Sequence, residues 1–191
     1  MSELPERIAG DAVRLRRWRV RDAERLDKAI GESAETLRPW MAWMADEPQT
    51  LEQRRQLLAG WEREWDDGGD AVYAVLVDQT VAGSCGLHRR LRARALEIGY
   101  WIHPSFARRG LATKSAALLT EAAFALPDIE RVEIHHDKAN VASAGVPRRL
   151  GYRCVGEQRD EASAPADTGI ECVWRIERRE WPTRERIREL A

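Results

Sequence analysis

Runs rich in β-forming residues, alternating between apolar and basic side chains at residues 13–18, predict seven β-strands. They span residues 13–18, 71–77, 81–88, 96–102, 132–136, 152–159 and 170–177. Apolar residues that recur every three or four positions predict four helices in the same sequence. They span residues 21–30, 51–65, 111–125 and 142–150. This order indicates an α/β (α+β) domain in which helices flank a mixed, mostly antiparallel central sheet.

Capping and turn residues support several of these boundaries. The hydroxyl of Thr50 can cap the second helix, with Gln53 completing a capping box, and Gly68-Gly69 ends that helix. The segment 78–80 separates two β-rich runs at a spacing that suits a hairpin. Pro127 ends the third helix, because a proline interrupts the helical hydrogen-bond pattern.

Length and charge narrow the classes of protein that this chain can be. A chain of 191 residues is long enough for one buried core. We therefore expect a single domain over residues 1–191, with its core at about 12–178 and a C-terminal tail at 179–191. The 31 basic and 32 acidic residues leave a net charge of -1, which gives no field to hold nucleic acid or an acidic membrane.

Cysteine usage and the lack of long apolar segments indicate a cytoplasmic protein. Cys85, Cys154 and Cys172 are widely spaced, which argues against a disulfide framework and a zinc knuckle. The first residues lack the apolar core of a signal peptide, and no later segment approaches the roughly 20 apolar residues of a membrane span. His135 and His136 are neighbours on a predicted strand and point to opposite faces, so we expect no metal site.

A strand that leads directly into a helix carries the strongest candidate for chemistry. Arg108, Arg109 and Gly110 lie where the loop after strand 96–102 becomes helix 111–125. The first amides of a helix lack helical partners and lie at the positive end of its dipole, so this turn can bind a phosphate. A plain basic helix start is the alternative. The glycine spacings of dinucleotide-binding and P-loop motifs are absent from the sequence, which argues against those enzymes.

Several linked segments of the chain extend this interpretation. They are Glu97–Trp101, Ala107–Thr113, Asp137–Ser143 and Leu150–Tyr152, together with Leu37–Met41 on the presumed substrate side. In these segments the chain resembles the GNAT superfamily of acyl-CoA-dependent N-acetyltransferases, especially its branch of Rim-type ribosomal-protein N-terminal acetyltransferases. The resemblance covers roughly residues 13–177. It implies a central sheet of about seven strands in which the strands 96–102 and 132–136 splay apart to form the acyl-CoA slot.

The resemblance also implies which residues bind acetyl-CoA, the co-substrate. Backbone amides of the loop and helix start would hold its pyrophosphate; these residues are Arg108, Arg109, Gly110, Leu111, Ala112 and Thr113. Asn140 would bond the pantetheine arm, and Arg148 or Arg149 would meet the adenosine phosphates. Ala107 stands where the family usually has glutamine or arginine, so binding would depend on main-chain amides and on Arg108. A bulge near Ile102 would free a backbone N–H to act as oxyanion donor.

Catalytic roles follow from the same resemblance. Glu97 is the candidate for a base that acts through water, with an ion pair to a nearby arginine as its alternative, and Glu161 is a reserve candidate. Ser143 is the candidate donor to the CoA sulfur, with an N-cap for a helix from Ala144 as a compatible alternative. Tyr152 follows the glycine that ends a helix, so we assign it to the core rather than to acid catalysis.

Aromatic residues on the substrate side indicate where an acceptor would bind. Trp40, Trp43 and Met44 can line an acceptor pocket, or they can form a buried helix stripe. Trp61 and Trp65 lie four positions apart, which favours packing.

We therefore expect an enzyme that transfers an acetyl group from acetyl-CoA to a primary amine. Direct attack in a ternary complex is expected, because the three cysteines offer no obvious nucleophile for a covalent route. The acceptor could be a protein N-terminus or a small molecule, and a homodimer is plausible for this branch. The alternative is a sensor or interaction module that binds acyl-CoA without catalysis.

Overall fold

The computed structural model describes residues 4–91 and 94–181. Over these residues the chain forms one eight-stranded sheet with four α-helices. The strands are β1 (Arg7–Ala9), β2 (Arg14–Arg17), β3 (Ala71–Val77), β4 (Thr80–His88), β5 (Ala95–Ile102), β6 (Arg131–Asp137), β7 (Arg153–Arg159) and β8 (Ile170–Glu177). The helices are α1 (Ala23–Leu37), α2 (Leu51–Asp66), α3 (Leu111–Ala125) and α4 (Val141–Arg149). The strand order in the sheet is β1-β2-β3-β4-β5-β6-β8-β7.

The sheet is antiparallel except where β5 meets β6. These two strands run parallel and pair over three residues of each, Ala95 to Glu97 with Arg131 to Glu133. Beyond Glu97 the ladder between them stops, while β5 stays paired with β4 as far as Ile102. The two strands therefore diverge, as the family resemblance implies, and leave a slot in the middle of the sheet.

Helices cover both faces of the sheet because its central strands carry apolar side chains on both. On one face, Ile98 of β5 packs in a cluster with Leu119 of α3 and Val146 of α4. On the opposite face, Leu26 of α1 and Leu58 of α2 form a second cluster. The slot between β5 and β6 thus lies between a face covered by α3 and α4 and a face covered by α1 and α2.

Two elements differ from the sequence prediction. The sheet gains β1, whose three residues pair with β2 but are too few to show an alternating pattern. Helix α1 continues to Leu37, seven residues beyond the predicted end at Ile30. Its buried face passes through Ser33, a polar residue whose hydroxyl donates to the Ala29 carbonyl at 2.7 Å. A serine whose hydroxyl is hydrogen-bonded can pack there like a small core residue. The pattern of apolar residues therefore does not show that the helix continues.

Other boundaries agree closely with the pattern. Helix α3 spans the predicted residues, and the capping box of Thr50 and Gln53 is formed at the start of α2. The hairpin between β3 and β4 turns through Asp78 and Gln79, both with positive φ. In the part of the chain that is described, none of the helices is long and apolar enough to span a bilayer. Residues 182–191 of the predicted tail lie outside the described residues.

Candidate active site

The loop between β5 and α3 forms a cradle of backbone amides. A turn of 3-10 helix (Pro104–Phe106) leads to Arg108 and Gly110, whose φ angles are 59° and 73°. The first helical hydrogen bond of α3 runs from the Lys114 amide to the Gly110 carbonyl. Among the described residues, no acceptor is bonded to the amides of residues 108–113. Left-handed residues next to a helix start turn successive N–H groups to one side, which is the geometry of an anion site.

Two exposed arginine side chains belong to this cradle. Arg108 and Arg109 are exposed, and the Arg109 guanidinium lies 5.4 Å from the centre of the Phe106 ring. The first four amides of α3 therefore have no bonded partner among the described residues and are available to a ligand. The side chains of Arg108 and Arg109 add two positive charges next to them. These residues fit a pyrophosphate group.

The edge of β5 that faces the slot offers further amides. The His103 amide donates to the Ala82 carbonyl at 2.9 Å on the β4 side. Because backbone groups alternate along a strand, the amides of Tyr100 and Ile102 point to the other side, into the slot. The predicted bulge near Ile102 is wrong, since the register of β4 on β5 runs without a shift from Glu97 to Ile102. Divergence from β6, rather than a bulge, frees these amides.

Ser143 meets a tyrosine on the opposite wall of the slot. Its Oγ lies 3.1 Å from the Oη of Tyr100, which also donates to the Ser143 carbonyl at 3.2 Å. Burial raises the pKa of Tyr100 to about 12, although the hydrogen bond with Ser143 works in the opposite direction. Tyr100 therefore stays protonated, and its hydrogen bond can polarise the Ser143 hydroxyl. The sequence pattern assigns no role to Tyr100, although Tyr100 lies in the segment Glu97–Trp101, two positions before Ile102.

The N-cap of α4 is Asn140 and not Ser143. The Asn140 Oδ1 accepts from the Ser143 amide at 3.1 Å, so Ser143 occupies the third position of the helix. The N-cap alternative for Ser143 is wrong, because the helix begins three residues earlier than that reading requires. Capping by Oδ1 leaves the amide group of Asn140 as a donor toward the slot.

Tyr152 belongs to the core, as predicted. It is 4% exposed, and its Oη lies 2.6 Å from the hydroxyl of Thr120 on α3.

A cavity of about 700 Å³ opens on the face covered by α1 and α2 and reaches the slot. Four tryptophans line it: Trp40, Trp43, Trp61 and Trp101. Trp43 is 37% exposed at its rim. Met44 is fully buried among the side chains of α1 and α2 and does not line the cavity, so its assignment to an acceptor pocket is wrong. In a short 3-10 turn, adjacent side chains diverge, and Met41 takes the place at the cavity wall.

Trp65 packs away from the cavity, as predicted, whereas Trp61, for which packing was also predicted, lines the cavity. The Trp65 ring meets Tyr73 edge-on at 4.8 Å, and the Arg17 guanidinium lies 5.0 Å above it.

The connection between β7 and β8 crosses the mouth of the cavity. The Ala166 amide donates to the Pro39 carbonyl at 2.9 Å, which ties this connection to the tryptophan segment. Asp167 lines the cavity, whereas Glu161 is exposed and does not. The placement of Glu161 at the acceptor site is therefore wrong by a few residues. Its loop does overhang the site, but the turn at 163–167 brings a different carboxylate inward.

Glu97 lies where β5 and β6 separate. Its Oε1 is 3.5 Å from a guanidinium nitrogen of Arg90, and its side chain is 15% exposed. It is not among the residues that line the cavity. The ion-pair alternative for Glu97 is thus the arrangement that forms, and its role as a base stays a prediction.

Arg148 and Arg149 lie at the far end of α4 from the slot. Arg149 is exposed and donates to the Gly145 carbonyl at 3.1 Å, while the Arg148 guanidinium lies 5.8 Å from the Trp174 ring. A contact from either residue to a nucleotide phosphate stays a prediction. Among the described residues, no group of three or more His, Cys, Asp or Glu side chains is placed to hold a metal ion.

His135 is part of a charged network on β6 and β8. Its Nε2 lies 2.8 Å from Glu133 and its Nδ1 lies 3.2 Å from Glu171. Burial opposes a charge on the ring, but these two carboxylates outweigh it and raise the pKa of His135 to about 10. Burial likewise opposes the charge on Glu133, yet His135 and Arg175 lower its pKa to about 2. At neutral pH His135 is an imidazolium and cannot accept a proton.

This network makes stability depend on pH in a defined way. The raised pKa of His135 contributes stability that is complete below about pH 6.5 and is lost as the pH rises toward about 10. The lowered pKa of Glu133 contributes stability that is lost as the pH falls from about 4.5 toward about 2.

When the pH is raised from 6 to 9.5, we expect the free energy of unfolding of His135→Gln to fall by roughly 2 kcal/mol less than that of the wild type. Urea unfolding at both pH values measures this, and parallel losses in the two proteins would contradict it.

Three comparisons with known proteins bear on this site. Residues 12–153 match the family model described as an acetyltransferase (GNAT) domain. A Bacillus subtilis (strain 168) protein, provisionally named ribosomal N-acetyltransferase YdaF, is 30% identical over 150 residues, which is 78% of this chain and 81% of that protein. A solved structure of a probable acetyltransferase matches with a TM-score of 0.84 at 27% identity, over 92% of this chain and 98% of the other. The structure of RimL, an L7/L12 α-N-protein acetyltransferase with coenzyme A, matches with a TM-score of 0.80 at 20% identity, over the same shares.

Proposed function

The chain belongs to the acetyltransferase (GNAT) domain family and is an acetyl-CoA-dependent N-acetyltransferase, and we propose that its acceptor is the α-amine of a protein N-terminus. The observation that carries the acceptor class is the tryptophan-lined cavity that meets the slot from the face opposite α3 and α4. The same cavity is lined by Tyr100, Asn140 and Ser143 at the slot, so it joins the acceptor side to the donor side.

The donor would enter from the side of α3 and α4. The amides of residues 108–113 hold the pyrophosphate in the cradle that Arg108 and Gly110 shape, and the amide group of Asn140 bonds the pantetheine arm. The N–H groups of Tyr100 and Ile102 face the slot and receive the carbonyl oxygen of the thioester. The acetyl group is thereby held at the gap in the sheet.

Ser143 acts at the departing sulfur. Its hydroxyl lies at the slot wall and is polarised by Tyr100 at 3.1 Å, so it can donate to the thiolate as the C–S bond breaks. The Tyr100 hydroxyl supports this proton transfer from the buried side. Both hydroxyls lie on the donor face, whereas the acceptor amine arrives from the other face.

The acceptor cavity combines aromatic walls with acceptors for N–H groups. Trp40, Trp61 and Trp101 offer faces that suit an aliphatic or aromatic first side chain and a nearby cation. The Gln49 side chain also lines the cavity, and its buried Oε1 has no partner among the described residues. Asp46 and Asp167 add negative charge at its mouth. An α-amine also suits this site because its ordinary pKa is near 8, against about 10.4 for lysine.

The test is a thiol-release assay with acetyl-CoA and matched peptides. One peptide set has a free N-terminus and no lysine; its control set has an acetylated N-terminus and one lysine. We expect turnover and a mass increase of one acetyl group for the first set alone. Turnover limited to the lysine set or to small amines would overturn the acceptor class, and tight acetyl-CoA binding without turnover on any amine would favour the sensor alternative.

A further inference from the structure

His88, at the end of β4, stands apart from the other histidines of the chain. His136 has both ring nitrogens bonded, its Nδ1 at 2.8 Å from the Asp137 carbonyl and its Nε2 accepting from Trp174 at 2.9 Å. His103 lies outside the cavity and is bonded to Glu32 and to the Ser105 amide. His135 is held as an imidazolium by two carboxylates. The His88 Nε2 has no hydrogen-bond partner within the described residues.

Asp70 fixes the orientation of the His88 ring. Its Oδ2 lies 2.6 Å from the His88 Nδ1, and its Oδ1 accepts from the Arg89 amide at 2.8 Å. Burial opposes ionisation of this carboxyl, but these two hydrogen bonds keep the pKa of Asp70 below its ordinary value. An ionised carboxylate can only accept, so the Nδ1 carries the proton and the Nε2 presents a lone pair.

Two glycines make room for the ring above the sheet. Gly86 of β4 and Gly99 of β5 are directly paired, on the same face as His88. A Cβ at Gly86 would lie 3.0 Å from the His88 Nε2, and one at Gly99 would lie 3.2 Å from it. The Nε2 therefore rests over the backbone of β5 at the residue next to Tyr100, whose amide faces the slot. His88 and Asp70 both line the acceptor cavity, and the His88 side chain is 14% exposed.

We propose that His88, oriented by Asp70, is the general base that deprotonates the acceptor amine, an assignment that rests on the proposed function. His88 lies on the face from which the amine approaches, whereas Ser143 and Tyr100 lie on the donor face. The acid and the base are therefore on opposite sides of the gap in the sheet, which is the arrangement that attack on one face of a thioester requires. Glu97, the base that the sequence suggested, is held by Arg90 and does not line the cavity.

The proton balance of the step is as follows. The His88 Nε2 takes one proton from the acceptor ammonium, directly or through one water, and the neutral amine attacks the thioester carbon. The new C–N bond forms, and the C–S bond breaks with its electron pair on sulfur. The nitrogen loses its second proton to water, while the Ser143 hydroxyl gives its proton to the thiolate and takes one back from water. The products are the N-acetyl amide and the CoA thiol, and the proton on His88 returns to solvent.

Other charged groups face this part of the cavity and share its pH dependence. They are Arg90, Glu64 on α2 and His135 on β6; Glu97, the cross-strand partner of His88, lies beside Arg90 outside the cavity. The experiment therefore compares variants within one pH series rather than reading a single titration.

The test measures kcat/KM against pH for the wild type, His88→Gln, Asp70→Asn and Glu97→Gln, with an N-terminal peptide as acceptor. We expect His88→Gln to lower kcat/KM by about 10²-fold and to move the acidic limb of the profile to the ordinary pKa of the peptide α-amine, near 8. Asp70→Asn should lower kcat/KM by about 10-fold, because the His88 ring is then no longer held in one orientation and one tautomer. Imidazole added to His88→Gly should restore part of the rate, which a merely structural role would not allow.

A second readout uses the basicity of the acceptor. For an acceptor amine whose pKa lies below 6, the amine is already neutral, so His88→Gln should lose about 10-fold less than with an ordinary peptide. Gly99→Ala adds a methyl group whose neighbours within 4 Å are His88 atoms, and it should lower kcat/KM while acetyl-CoA affinity is kept.

The outcomes separate the two proposals. Wild-type protein that acetylates no N-terminal peptide defeats the proposed function. Active wild type with an unchanged profile in His88→Gln, or with the acidic limb moved in Glu97→Gln alone, overturns the role of His88.

Discussion

Replacing Arg54 by methionine should lower the free energy of unfolding by about 3–5 kcal/mol. Arg54 is 1% exposed on α2, and one guanidinium nitrogen lies 2.8 Å from both carboxylate oxygens of Glu47. The side chain of Glu47 is 7% exposed, so the substitution leaves a buried carboxylate without its partner. Methionine fills a similar volume, which confines the effect to the lost charge pair.

Urea unfolding of Arg54→Met and Arg55→Met checks this prediction. Arg55 is the next residue of the same helix, its side chain is 45% exposed and its pair with Glu52 is 3.8 Å long, so its loss should cost less than about 0.5 kcal/mol. Adding Glu47→Gln to Arg54→Met should recover part of the stability, because the buried charge is removed. Equal stability of the two single variants would contradict the prediction.

Ser143→Ala and Tyr100→Phe should each lower kcat by about 10²-fold while acetyl-CoA affinity is nearly kept. The two hydroxyls are 3.1 Å apart and would act on the same proton transfer. Residues that act as one unit lose most of their effect at the first substitution, so the double variant should be little slower than either single one.

Steady-state kinetics of the two single variants and the double variant form the required cycle. Tyr152→Phe is the matched control, because it removes the same group from a buried tyrosine that is bonded to Thr120 outside the slot. It should cost about 1 kcal/mol of stability and leave kcat unchanged. Additive losses in the double variant, or a loss of kcat in Tyr152→Phe, would argue against a shared role of Tyr100 and Ser143.

The elements of the fold were largely predictable because their signals are local. A continuous β-rich run extends over seven residues in β3 and a helical apolar pattern over fifteen in α3, and the structure reproduces both spans. Signals fail where an element is too short to show a pattern or where its buried face carries a polar residue. β1 exists because β2 offers it a free edge, and the end of α1 is buried through a polar serine.

The anion cradle was predictable for the same reason. A strand, a glycine and an apolar helix follow one another within eighteen residues, and the backbone alone shapes the turn at Gly110. The residues that line the acceptor side could not be predicted in this way. Met44 and Met41 are equally apolar in the sequence, yet one is buried and the other lines the cavity.

The sequence by itself determined the α/β fold, the family resemblance and the amides that face the donor, since each depends on residues close together in the chain. Only the tertiary structure decided which side chains meet across the slot. His88 and Asp70 are 18 residues apart, and Tyr100 and Ser143 are 43 apart. Such pairs are set by strand register and by the divergence of β5 from β6. A one-residue change of register would turn each side chain to the other face of the sheet, so no local pattern can encode these contacts.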